Sequence, residues 1–303
     1  MSPFPWLTLL VVIGMAPALP GIANRIKSGL TGRRGAPILQ LYRDLAKLWR
    51  KDVVYSRTTT LIFRLAPVVL AATTLLAAGL LPLDGRNALI AFPGDLVAFA
   101  GLLGLGRFLL VLAALDTGSS FEGMGASREV TIASFAEPAL FLCFTVLVLS
   151  TGDLRLMGML GQPLAAAWRA AAPSLVLAAA SLFIITLAET CRVPVDDPLT
   201  HLELTMIHEV MVLDHSGPDL ALILYAGSLK MALFGSLIVA VLVPRGNLPQ
   251  PLALVTLVAG LVLIAVAVGV VESVMARLRM NRVPQLLVAA GALAGFALIL
   301  LLS

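Results

Sequence analysis

The chain has 303 residues, of which 59% are hydrophobic and 13% charged, with a formal net charge of +4 and a mean hydropathy of +1.00. A water-soluble globule cannot bury that much apolar surface, so the composition excludes one and makes the bilayer the solvent. Cys143 and Cys191 are the two cysteines and stand at no ligand spacing, which argues against a disulfide scaffold or a cysteine-ligated cluster.

About 20 apolar residues cross a hydrocarbon core of roughly 30 Å. Eight such runs follow one another: Phe4 to Leu19, Leu61 to Leu81, Leu96 to Leu115, Ile132 to Ser150, Pro173 to Ala188, Leu220 to Val243, Leu252 to Val271 and Pro284 to Leu302. Backbone groups in lipid must pair within their own segment, and the ten-residue alternation of a barrel strand is absent, so the runs predict helices. The expected architecture is an all-α integral membrane protein with about eight transmembrane helices plus an interfacial amphipathic helix, forming a single polytopic membrane domain over residues 1–303. The first run has no basic flank and no small-residue cleavage signature, so it reads as a retained helix and not a signal peptide.

Eight spans leave seven loops, and 14 of the 21 Lys and Arg residues lie in the odd ones. The even loops hold Arg86, Arg155, Arg169 and Arg245, while Arg64, Arg107 and Lys230 fall within or at the ends of helices. The positive-inside rule then puts the odd loops in the cytoplasm. Fourteen of the 17 Asp and Glu residues and all three histidines lie on that same side. Ionisable groups gathered against a bilayer suggest an ion path or a docking face; ordinary solvated loops are the plain alternative.

In the first loop, Gly32-Arg33-Arg34-Gly35-Ala36-Pro37 precedes Ile38, Leu41, Tyr42, Leu45, Leu48 and Trp49 at three- and four-residue intervals. This predicts an amphipathic helix near 36–54, apolar side down at the interface, with Arg43, Lys47, Arg50 and Lys51 toward lipid phosphates or a partner. Pro37 suits its first turn. A plain topogenic anchor accounts for the segment equally well.

The third loop, near 116–131, leads into a helix in which Glu129 and Glu137, eight apart, share one face. Burial drives a carboxylate toward its neutral form, which suits a group that loads and releases protons. Pro138 removes a backbone bond beside Glu137 and opens the helix to water there. The simpler reading pairs Glu129 with Arg128 or another loop cation.

The fifth loop, near 189–219, carries Glu189, Arg192, Asp196, Asp197, Glu203 and the histidines His201, His208 and His215. On one continuous helix the seven-residue spacing would align the three imidazoles, but metal sites favour closer pairs. A hydrated relay or a docking surface is the preferred reading, and no metal site is assigned. Lys230, ten residues into the sixth span, must face a polar interior. Arg64 and Arg107 are read as snorkelling from helix ends. The seventh loop, near 272–283, places Glu272 with Arg277, Arg279 and Arg282 as a counter-charge cluster.

Five stretches in this order resemble one family: Gly32 to Pro37 with Leu39 to Lys47, Gly125 to Glu129, Ala188-Glu189 through Pro198, Asp214 to Pro218, and Glu272 to Arg279. The chain resembles the membrane-anchor subunit of respiratory complex I, the NADH dehydrogenase subunit 1 family. It looks closer to the corresponding subunits of energy-converting group 4 [NiFe] hydrogenases, the formate hydrogenlyase and hydrogenase-4 type. That resemblance implies a non-catalytic subunit of an oxidoreductase complex in a bacterial or archaeal inner membrane, with polar loops and soluble partners on the cytoplasmic side. Its implied partners are soluble hydrogenase-like large and small subunits, an iron–sulfur ferredoxin-like subunit, antiporter-like membrane subunits and lipid, with no nucleic acid. Iron–sulfur clusters and a [NiFe] centre are expected in those partners, with no cofactor and no catalytic residue in this chain.

By the same resemblance Glu129, Glu137, Glu189, Arg192, Asp196 and Glu203 carry over as proton-path or interface residues, joined by Asp197, Lys230 and Glu272 from the reading above. Two departures matter. Where the complex I pattern has Pro-Phe-Asp-Leu-Pro-Glu this chain has Pro194-Val195-Asp196-Asp197-Pro198-Leu199, and Ser127-Arg128-Glu129 replaces Ser-Tyr-Glu. These changes favour the hydrogenase-type reading over a quinone-chamber subunit of a complex I-like quinone oxidoreductase, which is the alternative. A stand-alone transporter fits less well, because no inverted repeat is found.

Overall fold

The computed structural model describes residues 3–196 and 206–303, and regular structure among them is helical, with no strand. Asp197, His201 and Glu203 lie outside the described residues. The chain begins with α1 (Phe4–Met15) and α2 (Ala18–Leu30), which meet at a 44° bend. Pro17 sits at the break and has no N–H to continue the ladder of α1, which accounts for the bend. The first crossing is therefore a broken pair that ends at Leu30, beyond the expected Leu19.

The amphipathic segment forms α3 (Gln40–Leu48), shorter at both ends than the expected 36–54. Pro37 lies before it, and its carbonyl accepts the Gln40 N–H at 3.0 Å in the turn leading in. Leu45 faces inward as α3 packs on α2 and on the long apolar helix Gly217–Leu242. A Cβ at Gly21 of α2 would overlap the Ile38 carbonyl oxygen, so this approach depends on glycine.

The rest of the chain forms α4 (Leu61–Leu80), α5 (Asp95–Asp116), α6 (Ser120–Thr151), α7 (Leu156–Met159), α8 (Pro163–Glu189), α9 (His208–Met211), α10 (Gly217–Leu242), α11 (Gln250–Val274) and α12 (Val283–Leu302). A 3₁₀ turn, Met280–Arg282, leads into α12. Among the described residues seven helices are long and apolar enough to cross a membrane, and the bent α1–α2 pair makes an eighth. The chain is an all-α, multi-pass membrane protein.

Two helices begin well before their apolar runs. Residues 120–131, expected as loop, are the first turns of α6, so Glu122, Arg128 and Glu129 are helical. At 1.5 Å per residue α6 is about 48 Å long, more than the hydrocarbon core requires. Helix α8 starts at Pro163 and is kinked at Ala171, where Pro173 two residues on breaks the backbone ladder.

The most enclosed span is α10, which touches α4, α8, α11 and α2, while α6, α8 and α12 pack as a trio and α5 bridges α4 to α6. Phe99, Phe144 and Phe234 meet edge-on at 6.3 and 6.4 Å between ring centres, at the heart of the apolar core. Loop contacts separate the two ends of the bundle. At one end Arg86 donates to the carbonyls of Gly246 and Leu248, Asp95 accepts the Leu156 N–H, and buried Arg245 donates to Leu83. At the other, called here the polar end, the Thr60 N–H and hydroxyl bond Asp116, Val54 N–H donates to Ser216, and Asp214 N–H donates to Glu122.

Candidate functional site

Below the polar end, four helices bring ionisable groups to one guanidinium. Arg107 is the thirteenth residue of α5 and its side chain is 9% exposed. The preceding Gly106 lets α5 lie close on Leu70 and Thr73 of α4. Arg107 Nη2 lies 2.7 Å from both carboxylate oxygens of Glu189, Nη1 3.1 Å from Glu137 Oε1, and Nε 3.6 Å from Glu129 Oε1. Lys230 of α10 completes the cluster, its Nζ 2.5 Å from Glu189 Oε2. Two cations thus serve three carboxylates. Burying any of these charges alone would be prohibitive, whereas the paired set holds them at membrane depth.

The geometry at Glu189 follows from how α8 ends. Cys191 takes a left-handed conformation, φ +50°, and the Cys191 and Arg192 N–H groups donate back to Ala188 and Leu187. This is a Schellman cap, usually built with glycine. It holds Glu189 in the last turn and sends Arg192 away from it. Arg192 Nη1 lies 3.3 Å from Glu272 Oε1 and 3.2 Å from Asn24 Oδ1, and Lys27 reaches Glu272 Oε2 at 3.8 Å. Asp196 binds Arg277 at 3.0 Å and accepts the N–H groups of Ile207 and His208.

A cavity of about 180 Å³ lies between some of these groups. Arg107, Glu129, Glu189, Arg192, His208 and Lys230 give it a polar wall, while Pro20 of α2 and Leu41 of α3 help close its apolar side. A space of this size with several polar partners has room for a number of water molecules. Burial pushes His208 below its ordinary value against the pull of Glu129, and pushes the Cys191 thiol well above its own.

Several expectations need correcting. Arg107 does not snorkel; it is the hub, and its distance from both helix ends is the signal that points to this. Glu129 pairs with this span arginine, while Arg128 donates to the Met206 carbonyl. Glu272 finds its counter-charges on Arg192 and Lys27, from elsewhere in the chain, and Arg277 of its own loop goes to Asp196. Arg64 lies over the Tyr55 ring at 4.6 Å. The continuous helix needed to align the histidines does not form: α9 ends at Met211, His208 lines the cavity, and His215 stacks on Phe63. Asn24 and Lys27 also belong to the site, although they lie in α2, past the expected end of the first span at Leu19.

Comparison with known proteins agrees with this architecture. The sequence model of the NADH dehydrogenase family matches residues 4–303. Hydrogenase-4 component C of Escherichia coli (strain K12) is 35% identical over 274 residues, 88% of this chain and 85% of the relative. Formate hydrogenlyase subunit 4 of the same organism is 30% identical over 289 residues, 93% of each chain. An NADH-quinone oxidoreductase subunit of Orientia tsutsugamushi (strain Ikeda) is 24% identical over 74% of this chain and 63% of its own. A chain of the membrane-bound sulfane sulfur reductase, an archaeal respiratory membrane complex, shares the fold with a TM-score of 0.83 over 98% of both chains, at 17% identity. With the family match running from residue 4 to residue 303 and two relatives at 30% identity or more over most of their length, the chain belongs to the NADH dehydrogenase family, with membrane subunits of hydrogenase-4 and formate hydrogenlyase among its relatives.

Proposed function

We propose that the chain is the membrane-anchor and ion-path subunit of a hydrogenase-type energy-converting redox complex. Its polar end docks a soluble arm of large, small and ferredoxin-like subunits on the cytoplasmic side, and those subunits carry the iron–sulfur clusters and the [NiFe] centre. Antiporter-like subunits adjoin it in the membrane. The observation that carries this reading is the Arg107 cluster: three carboxylates and two cations beside a cavity with room for water. Chains of such groups relay protons by small shifts in pairing. Arg192, Asp196 and Glu272 extend the path beyond the cluster, and Asp197 and Glu203, which lie outside the described residues, are assigned to it from the sequence alone. The identities to hydrogenase-4 component C and formate hydrogenlyase subunit 4 support the choice of complex.

The test uses the intact complex in proteoliposomes. Glu189→Gln, Glu129→Gln and Asp196→Asn are expected to leave the subunits associated and to lower protons moved per electron at least tenfold. Unchanged stoichiometry in all three assembled variants would overturn the reading.

A quinone chamber is the second reading, favoured by the cavity's reach to Leu41 of the interfacial helix and by the likeness to the NADH-quinone oxidoreductase relative. Quinone copurifying with the complex, and lost on Leu41→Trp, would select it.

A further inference from the structure

We propose that the outward crevice between α5 and α6 is covered by a transmembrane helix of a partner subunit that presents a lysine or arginine to Glu137. This rests on the reading of the chain as one subunit of a larger membrane complex. The Glu137 side chain is 45% exposed, whereas those of Glu129 and Glu189 are 10% and 5% exposed. It stands five residues inside the apolar run that begins at Ile132, about 8 Å along the axis of α6. A carboxylate at that depth facing acyl chains costs several kcal/mol, so lipid does not cover it.

The backbone beside it makes the same demand. Pro138 has no N–H, so the Ser134 carbonyl lacks its donor one turn on, and a bare carbonyl in hydrocarbon is also costly. The exposed face of α6 there mixes the hydroxyls of Thr131 and Ser134 with Val130 and Phe135, while the outward face of α12 presents Val288, Phe296 and Ile299.

Shape and charge say what fits. The crevice has a volume of about 270 Å³. A Cβ at Gly104, which lines the crevice, would meet only Glu137 Oε1, at 3.5 Å, so the face admits a closely packed helix. Arg107 reaches Oε1 of Glu137, and the half-exposed Glu137 side chain lines the crevice. Among the described residues Arg107 and Lys230 leave the three glutamates one positive charge short, which a basic side chain from outside supplies.

The test places a benzophenone amino acid at Ser134 or Phe108 in the complete complex, with irradiation in native membranes and mass spectrometry of the adducts. The expected adduct maps to a membrane-spanning segment of a partner that contains Lys or Arg, and its yield falls at least threefold in Glu137→Gln. Adducts with lipid alone, with a second copy of this chain, or with a segment lacking a basic residue overturn the proposal. Any of those results in a complex that still copurifies leaves the subunit reading standing. A chain that purifies without companions defeats both.

Discussion

Arg107 and Glu189, 82 residues apart, meet with one guanidinium nitrogen 2.7 Å from both carboxylate oxygens. The contact ties the middle of α5 to the end of α8, and Lys230 on α10 approaches the same carboxylate. Glu189 thus touches two cations while Arg107 touches three anions. Shifting a proton or a cation onto this network alters several pairings at once. An ion path needs that coupling; a merely solvated loop does not.

Removing the hub leaves three carboxylates with one lysine. Breaking a buried pair by deleting one partner costs about 3–5 kcal/mol. Arg107→Gln is therefore expected to lower the thermal midpoint of the detergent-purified protein markedly. Arg107→Lys keeps the charge but cannot reach three partners with a planar fork, so it falls between. Thermal unfolding of the three proteins side by side checks the order, and equal midpoints for wild type and Arg107→Gln would contradict it.

Glu189 and Lys230 are close enough to couple. Glu189→Gln strands the Lys230 ammonium, and Lys230→Met leaves Glu189 with Arg107 alone, while the double change removes both charges. The double variant is expected to lose less stability than the two singles together, by roughly 1–3 kcal/mol. A double-mutant cycle from denaturation in mixed micelles measures the difference, and strict additivity would mean that the pair does not interact.

The crossings are legible because lipid imposes a simple rule on composition, and each apolar run matches a helix or the bent α1–α2 pair. The start of α6 is not: Glu122, Arg128 and Glu129 look like loop residues until their partners Asp214, Met206 and Arg107 are known. All three partners are distant in sequence. The carboxylates of the site can be named from motifs, whereas the arginine that gathers them is marked only by its distance from both ends of α5. That position argues against snorkelling, and tertiary packing supplies the partners that make it a hub.

Gly21 on α2 is where the interfacial helix is seated. Replacing it with alanine gains about 1 kcal/mol of helix propensity, but the new Cβ would overlap the Ile38 carbonyl oxygen, a backbone atom that cannot swing aside. Overpacking of this kind costs about 1–3 kcal/mol, so the clash wins. Gly21→Ala is expected to lift the segment around α3 and break the hydrogen bond from the Tyr42 hydroxyl to the Gly14 carbonyl. Hydrogen exchange over residues 36–54 rises at least tenfold if this is right and is unchanged if α3 is held from elsewhere.

His215 carries a pH dependence whose sign follows from its surroundings. The imidazole lies flat against Phe63, ring centres 3.9 Å apart, and is 3% exposed with neither nitrogen hydrogen-bonded among the described residues. Burial alone lowers its pKa to about 4, against an ordinary value of about 6.5. Between those values the unfolded chain binds a proton that the folded chain refuses, so stability is full above the ordinary pKa and is lost as pH falls toward 4. The slope from this one group is at most about 1.4 kcal/mol per pH unit. His215→Phe keeps a flat ring on Phe63 and removes the titrating group, so its thermal midpoint is expected to fall less between pH 7 and pH 4.5 than that of the wild type. If the two curves stay parallel across that window, His215 is protonated in the folded protein and the stack on Phe63 does not keep water from it.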